Sequence, residues 1–465
     1  MDSSQFLEGL DEDQRAVAES LGMPVSVIAG AGTGKTRTIT HRLGYAATEG
    51  AIDPRATLAV TFTTSAALEV RQRLEAMGVR GVQSRTFHSA ALRQAQYFWP
   101  EVYRSTLPRV EDNRDMLISE ACKRLGISPS KQVLSEVSSE ISWTKQSNVL
   151  AEDYVDLARD HHRTVLHLDL DTVADLIVAY EEAKQAHCVI DLDDLLLCTV
   201  ALLSTQADVS KKVQATYRHF VFDEYQDLSP VQARLVDLWV GRRQDLCVVG
   251  DPAQTIHSFA GSTSVYLERF ADSHAHSQSL ELTRNYRSTP EILAKANAVT
   301  TTGLQLRAQR STGTTVEFHA GGDPLEESTE VAQWLKGLHR DGIAWEEMAL
   351  LFRTNAQAEA IRQILADEQV PFLALKSENS HSRPGVRLGT LHGSKGLEWE
   401  AVGLCGLHDG SLPHPCANSH DRLQEERRLL YVGITRARSF LRISWPSSMD
   451  GRPTSPSRFL AGILG

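Results

Sequence analysis

The chain has 465 residues, and 59 acidic against 48 basic side chains leave a formal charge of −11. Apolar residues make up 42% and charged residues 23%, which excludes a disordered chain, a collagen-like repeat and a disulfide-stapled miniprotein. The length allows about three domains, and the acidic balance confines any nucleic-acid contact to a local basic patch.

The opening residues are acidic and polar, so no leader peptide is expected. Pro24-Val-Ser-Val-Ile-Ala29 reads as a buried strand, followed by a glycine-rich turn and a helix from Lys35 to about Ala47. Thr57–Phe62 is a second strand, and Ser65–Met77 the helix after it. From about 92 to 206 the chain is rich in helix formers without clear strand runs, which predicts a helical insertion. Within it, Asp191-Leu-Asp-Asp194 reads as a solvated helix start rather than a cation site. His219–Asp223 and Leu246–Gly250 are further buried strands.

A second set begins near Leu282, with strands at Thr315–His319, Met348–Phe352, Val386–Leu391, Ala401–Leu407 and Phe440–Trp445. Helices at Leu325–Leu338, Gln357–Ala366 and Arg422–Ala437 alternate with them, and Ser377–Gly385 is a polar loop. Short apolar runs between helices are the pattern of parallel strands in an α/β fold. The expected division is a first α/β domain from 1–91 and 207–282, the helical insertion at 92–206, and a second α/β domain at 283–465.

Six cysteines (Cys122, Cys188, Cys198, Cys247, Cys405, Cys416) are scattered without a C-x-x-C pair, as in a reducing compartment. The longest apolar run, Leu195–Leu203, is about half a membrane span. A soluble, cytoplasmic protein with no membrane partner is expected. His408, His414, Cys416 and His420 have metal-binding side chains but no standard zinc spacing.

The turn after the first strand is Ala29-Gly30-Ala31-Gly32-Thr33-Gly34-Lys35-Thr36, a phosphate-binding loop between strand and helix. Its glycines let backbone N–H groups turn onto phosphates, Lys35 adds a point charge, and the Thr36 hydroxyl can ligate Mg²⁺. Asp223-Glu224 ends a buried strand, where a P-loop ATPase carries its Mg²⁺-binding and water-activating acids. ATP with Mg²⁺, held in part by Thr36 and Asp223, is the expected ligand. Arg287 and Arg436 are candidates for stabilising the transferring γ-phosphoryl group from outside the loop.

The order of these motifs resembles the superfamily 1A helicases, the UvrD/Rep/PcrA family, from about Leu10 to Leu460. The resemblance implies two RecA-like P-loop NTPase domains with parallel sheets and a helical subdomain 1B. Leu10-Asp-Glu-Asp-Gln-Arg15 is similar to the Q motif, which makes Gln14 the reader of adenine, and Arg37 flanks the base. Thr61-Phe-Thr-Thr64 and Thr86-Phe-His-Ser89 resemble motifs Ia and Ib, and Val221–Asp227 resembles motif II. Gly250-Asp-Pro-Ala-Gln-Thr-Ile256 resembles motif III, with Gln254 as γ-phosphate sensor. Leu282–Thr289 matches motif IV, which implies Tyr286 stacking on adenine and Arg287 touching γ-phosphate. Gly389–Trp399 matches motif V, with Glu398 at the ribose. Glu426–Ala437 matches motif VI, with Arg436 as arginine finger.

By family position the single-stranded DNA track comprises Phe62, His88, Phe259, Arg353, Asn355 and His392, a mixture of stacking and phosphate-contacting groups. Phe259 lies five residues beyond Gln254, a short route from nucleotide to base. Two departures stand out. The family's Tyr and Arg after Gln254 are replaced by His257 and Ala260. Motif IVa (Leu350–Ala356) is also followed so closely by motif V that 373–387 is a short loop where relatives carry subdomain 2B, the subdomain that regulates unwinding.

The resemblance implies an ATP-dependent 3′–5′ DNA helicase and single-stranded DNA translocase acting in DNA repair or recombination in a bacterial cytoplasm. Its partners would be single-stranded and tailed duplex DNA and repair-complex proteins, with the monomer favoured. A translocase that strips proteins without unwinding, and a non-enzymatic DNA-binding subunit, are the alternatives.

Overall fold

A computed structural model of the chain describes residues 2–375 and 383–464. By their contacts these fall into two compact units, Met1–Ile28 with Lys35–Glu281, and Ala29–Gly34 with Leu282–Gly465.

The first unit opens with α1 (Glu12–Glu19), β1 (Val25–Ala29), α2 (Lys35–Thr48), β2 (Thr57–Thr61), α3 (Thr64–Ala76) and β3 (Gln83–Thr86). A helical stretch follows: α4 (Phe87–Tyr103), β4 (Arg109–Glu111), α5 (Asp115–Arg124), α6 (Lys131–Ser147), α7 (Tyr154–Asp160), α8 (Leu170–His187), β5 (Val189–Asp191), α9 (Leu192–Thr205) and α10 (Ala207–Thr216). The unit closes with β6 (His219–Phe222), α11 (Pro230–Val240), β7 (Leu246–Gly250), two single-turn helices α12 (Val265–Glu268) and α13 (Phe270–Ser273), and β8 (Gln278–Leu282).

The six-stranded sheet runs β3-β2-β6-β7-β1-β8, and the pairs from β3 to β1 are parallel. β2 and β7 are buried at every residue, as strands covered by helices on both faces must be. Their C-terminal ends therefore share one edge, where ligands bind in open α/β sheets. Phe87, Phe222 and Trp239 stack in the core beneath α4, α9 and α11.

The helical stretch is not uniform. Helices α4 and α9 pack into the sheet's core, whereas α5 to α8 build a separate core around Leu117, Val137, Tyr154, Leu176 and Tyr180. It also holds a short parallel pair, β4 with β5, that the helix-rich composition did not signal.

The expected solvated start at Asp191 is corrected. Asp191 does cap α9, in a reciprocal capping box with Asp194. Yet Asp191 is fully buried and Asp193 and Asp194 are nearly so. Lys145 reaches Asp191 at 2.6 Å and Asp194 at 2.7 Å, Arg114 reaches Asp193 at 2.5 Å, and Lys184 pairs with Asp194. Three cations from other helices replace water around these acids, as buried charges require.

The second unit contains β9 (Arg284–Asn285), α14 (Pro290–Val299), β10 (Arg307–Ala308), β11 (Glu317–Gly321), α15 (Pro324–Arg340), β12 (Met348–Phe352), α16 (Asn355–Asp367), β13 (Phe372–Ala374), β14 (Val386–Thr390), β15 (Trp399–Leu404), α17 (His420–Ile434) and β16 (Ala437–Pro446). A small hairpin, β17 (Ser448–Met449) with β18 (Arg452–Pro453), follows. Its sheet order is β11-β16-β15-β12-β14-β13, all parallel. Of the expected loop 373–387, residues 373–374 belong to β13 and 386–387 to β14, while 376–382 lie outside the described residues. Among the described residues no helix is long and apolar enough to cross a membrane, and no group of three metal-type side chains stands together.

Candidate nucleotide site and DNA track

β1 hands the chain to the loop 29–34, which groups with the second unit through contacts made by motif IV. Gly32 (φ +70°) and Gly34 (φ +81°) occupy the left-handed region that glycine tolerates. A Cβ on Gly32 would lie 2.5 Å from Asn285 Nδ2 and 2.8 Å from Arg287 Cβ. The Thr33 hydroxyl donates to the Gly30 carbonyl at 2.8 Å, Asn285 Nδ2 to the Ala31 carbonyl at 2.7 Å, and the Tyr286 N–H to the Gly32 carbonyl at 2.9 Å. Those peptide units are planar and trans, so fixing their carbonyls on one side turns their N–H groups to the other. Ala29 is buried at the start of this turn.

Lys35 and Thr36 open α2 in the first unit, and Lys35 Nζ lies 3.5 Å from Glu224 Oε1. Asp223 follows β6 and is buried. Burial, then the charge of Glu224, pushes the Asp223 carboxyl well above the usual carboxylate range, with Lys35 opposing. Glu224 itself sits at φ +54°, a left-handed conformation costly for a residue with a Cβ and one that clusters at functional sites. Even with Lys35 nearby, burial and a second acid leave this carboxylate short of compensating charge, and oxygen donors of this kind suit Mg²⁺. Asp223 and the Thr36 hydroxyl therefore fit such a cation.

A hydrogen-bonded chain links motif II to motif III. Gln226 Nε2 donates to Glu224 Oε2 at 2.6 Å and to Asp227 Oδ2 at 3.1 Å. Gln226 Oε1 accepts the Asp251 N–H at 2.9 Å, and Gln254 Nε2 donates to Asp251 Oδ2 at 2.8 Å. Burial raises the Asp251 carboxyl. The acid, the turn after β7 and Gln254 thus form one network.

Gln14 and Arg37 lie on α1 and α2 of this unit. Gln14 is buried, and its Oε1 accepts the Asp11 N–H in the capping box of α1, so part of the amide expected to read adenine serves the helix end. Arg37 is exposed and donates to the Gly9 carbonyl at 2.7 Å.

In the second unit Arg287 Nε pairs closely with Glu398, and Arg287 also donates to the Thr435 carbonyl at 3.2 Å. Glu398 accepts Arg438 at 2.6 Å as well; burial would raise its carboxyl, but the two guanidinium groups together hold it below the usual range. Arg436 is almost wholly buried, donating to the carbonyls of Val432 at 2.9 Å and Leu397 at 3.0 Å and to the Thr435 hydroxyl at 3.1 Å. Tyr286 is 44% exposed.

Of the residues expected on DNA, Phe62, His88, Arg353, Asn355 and His392 lie just past strand ends and Phe259 on a 3-10 turn. Phe62 follows β2 half-buried, edge-on to Phe87 at 5.8 Å. His88 is in the first turn of α4, where burial holds its imidazole below the usual range. Phe259 is 47% exposed. Arg353 and Asn355 follow β12 and His392 follows β14; these strands pair with Phe352 opposite Thr390, so all three share one end of the second sheet. Arg353, expected on DNA, makes three contacts of 2.6 to 3.1 Å with the buried Glu426.

The structure brings Lys35, Asp223, Glu224 and Gln254 to one sheet edge of the first unit, and Arg287, Glu398 and Arg436 into one cluster of the second. Sequence reasoning missed Gln226, Asn285 and Arg438. Gln226 and Asn285 lie inside quoted motifs and Arg438 one residue beyond motif VI, and their signal was an amide or guanidinium within two residues of an assigned group.

A phosphate-binding loop, paired strand-end acids and two six-stranded parallel sheets define a P-loop ATPase of two RecA-like domains. Residues 10–275 match the family model of the UvrD/REP helicase N-terminal domain, and residues 280–387 and 373–448 that of the UvrD-like helicase C-terminal domain. The chain belongs to the UvrD/Rep helicase family. It is 35% identical to the ATP-dependent DNA helicase UvrD2 of Mycobacterium tuberculosis, across 99% of this chain and 82% of that one. It is 26% identical to the putative ATP-dependent DNA helicase YjcD of Bacillus subtilis over 98% of the chain and 81% of the relative. For the ATP-dependent DNA helicase PcrA of the same organism the figure is 29%, over 78% and 50%.

Proposed function

We propose that the chain is an ATP-dependent DNA helicase that couples hydrolysis to 3′–5′ movement along single-stranded DNA. The observation that carries this reading is the unbroken network Glu224–Gln226–Asp251–Gln254 beside Lys35. A structural acid at a strand end would not need a buried amide relay to a second strand-end turn; a hydrolytic base that must report on the γ-phosphate does. The helicase names of the relatives support the same class.

In this reading the N–H groups of 31–34 and Lys35 hold the phosphates; Tyr286 is assigned to base stacking, Gln14 to adenine recognition and Arg37 to flanking the base. Mg²⁺, held by Thr36 and Asp223, would neutralise charge on the transferring phosphate. Glu224 accepts the proton of the attacking water. Arg287 and Arg436 stabilise the phosphoryl charge, and Glu398 orients Arg287 until the ribose competes for it. Phe62, His88, Phe259, Arg353, Asn355 and His392 grip DNA.

The proposed division is a first RecA-like domain at 1–91 and 207–282, subdomain 1B at 92–206 and a second RecA-like domain at 283–465. A short connection at 373–387 in place of subdomain 2B is part of this reading; the alignment with UvrD2 runs over 577 positions against 465 residues here, so that relative carries residues this chain lacks. That shortening favours the second reading, a translocase that strips proteins from single strands. Repair or recombination in a bacterial cytoplasm, with repair proteins as partners and a monomer as the working unit, completes the proposal.

The test is ATP turnover with and without oligo-dT, then a 3′-tailed duplex against a 5′-tailed one and a streptavidin-blocked single strand. DNA-stimulated turnover with 3′-tail unwinding is expected. Streptavidin displacement without unwinding selects the stripping translocase, and turnover indifferent to DNA rejects the motor.

A further inference from the structure

Phe259 sits on a short 3-10 turn, Ser258–Ala260, closed by Gly261 at φ +88°. The helical core of α5 to α8 reaches this turn at two points. A Cβ on Gly261 would lie 2.9 Å from Ser147 Oγ at the end of α6. Arg163, just past α7, donates to the Phe259 carbonyl at 3.2 Å.

Arg163 is held from every side. Its N–H donates to the Ala158 carbonyl at 2.8 Å, and His162 before it is left-handed at φ +50°, which fixes the backbone as a helix-end turn. Its guanidinium forks onto Glu140 on α6, at 2.7 Å from Nε and 2.6 Å from Nη2. It lies 4.3 Å from the Trp143 ring centroid, and Tyr154 donates a further bond to Glu140 at 2.9 Å. Both charged side chains are more than nine-tenths buried. A buried pair of this kind contributes little net stability compared with apolar packing. What it supplies is a donor at a fixed point.

We infer that Arg163 is a positioning residue for base stacking: through the Phe259 carbonyl it holds the backbone under an exposed ring that receives a DNA base. This rests on the reading of Phe259 as part of a single-stranded DNA track. A ring whose Cα is already fixed loses less freedom when a base lands on it, so the gain is read as affinity for DNA.

The experiment uses the full chain and measures the oligo-dT concentration giving half-maximal ATPase stimulation. Phe259→Ala raises it about tenfold, within the cost of losing one stacked base. Arg163→Met raises it by a comparable factor, and the double variant is no worse than Phe259→Ala alone, because both remove one function. Tyr154→Phe strips a bond from Glu140 but leaves the Phe259 carbonyl held, and its DNA response matches the parent. Arg163→Lys keeps the charge on Glu140 without the fork, gives an intermediate value, and carries the test if Arg163→Met does not fold. The inference is overturned if Arg163→Met and Arg163→Lys respond like the parent. It also falls if Tyr154→Phe loses as much as Arg163→Met, or if the double variant shows additive losses. A parent protein that DNA does not stimulate rejects the underlying motor reading instead.

Discussion

Gln226 donates to the Glu224 carboxylate at 2.6 Å while its own carbonyl oxygen accepts the Asp251 N–H at 2.9 Å. One buried amide thus fixes the orientation of the proposed base and ties it to the turn that carries Gln254. Gln226→Ala should lower kcat for ATP by about 100-fold through misplacement of Glu224, with a much smaller change in KM. Steady-state turnover checks this, and an unchanged kcat would remove Gln226 from the relay.

Glu224→Gln keeps the shape and the bond to Gln226 but cannot accept a proton. Hydrolysis should fall by about 10²- to 10⁴-fold. Fluorescent nucleotide should still bind, and single-turnover traces should show ATP retained. Full turnover in this variant would mean that another group activates the water.

Gly32→Ala puts a methyl group where Asn285 and Arg287 already stand, at a positive φ. The left-handed conformation alone costs about 1–2 kcal/mol. ATP affinity should drop sharply, with the loop displaced from the Asn285 amide. Binding titration with a non-hydrolysable analogue reads it directly, and normal affinity would show that the loop does not need this backbone.

Asp191→Asn leaves Lys145 and Arg114 short of their shared buried counter-charge. Breaking a buried pair from one side costs about 3–5 kcal/mol. Chemical denaturation followed by tryptophan fluorescence should find that loss concentrated in the transition reported by Trp143, which belongs to the same core. A loss under about 1 kcal/mol, the value of exposed pairs, would place these acids in water after all.

Burial lowers the His88 imidazole, with Asp193 favouring the proton and Arg114 opposing it. The unfolded chain takes up that proton near pH 6.5, whereas the folded chain does so only at lower pH. Stability from this group is therefore complete above about 6.5 and is lost as pH falls through the folded value. His88→Gln should flatten part of the acid-side decline in melting temperature. His408 and His414 shift the same way, so part of the slope remains. An unaltered slope would mean that His88 gains its proton in the folded state as readily as in the unfolded one.

Much of the fold was legible because parallel strands covered on both faces are continuous apolar runs, as in Leu246–Gly250 and Met348–Phe352. β3 was not, because Gln83-Ser-Arg-Thr86 lies at the sheet edge and carries polar side chains. Lys35, Asp223 and Glu224 could be found because a strand end followed by glycines or acids is a local signal. The environment of Asp191 could not, since its cations come from Arg114, Lys145 and Lys184, and nothing local says that three helices converge there. The ion pair of Arg353 was hidden for the same reason: its partner Glu426 is 73 residues away.

Helix α6 also sends Gln146 between the two halves of the first unit, donating to Asp193 at 2.5 Å and accepting the Ser229 hydroxyl at 2.6 Å. Ser229 stands two residues beyond Asp227 and caps α11. A chimera that exchanged α5 to α8 for the matching helices of a relative would therefore disturb the turn after Asp227 even if every residue of motifs II and III were kept. Such a graft travels only with its acids at 191, 193 and 194, its three cations, and an amide at 146.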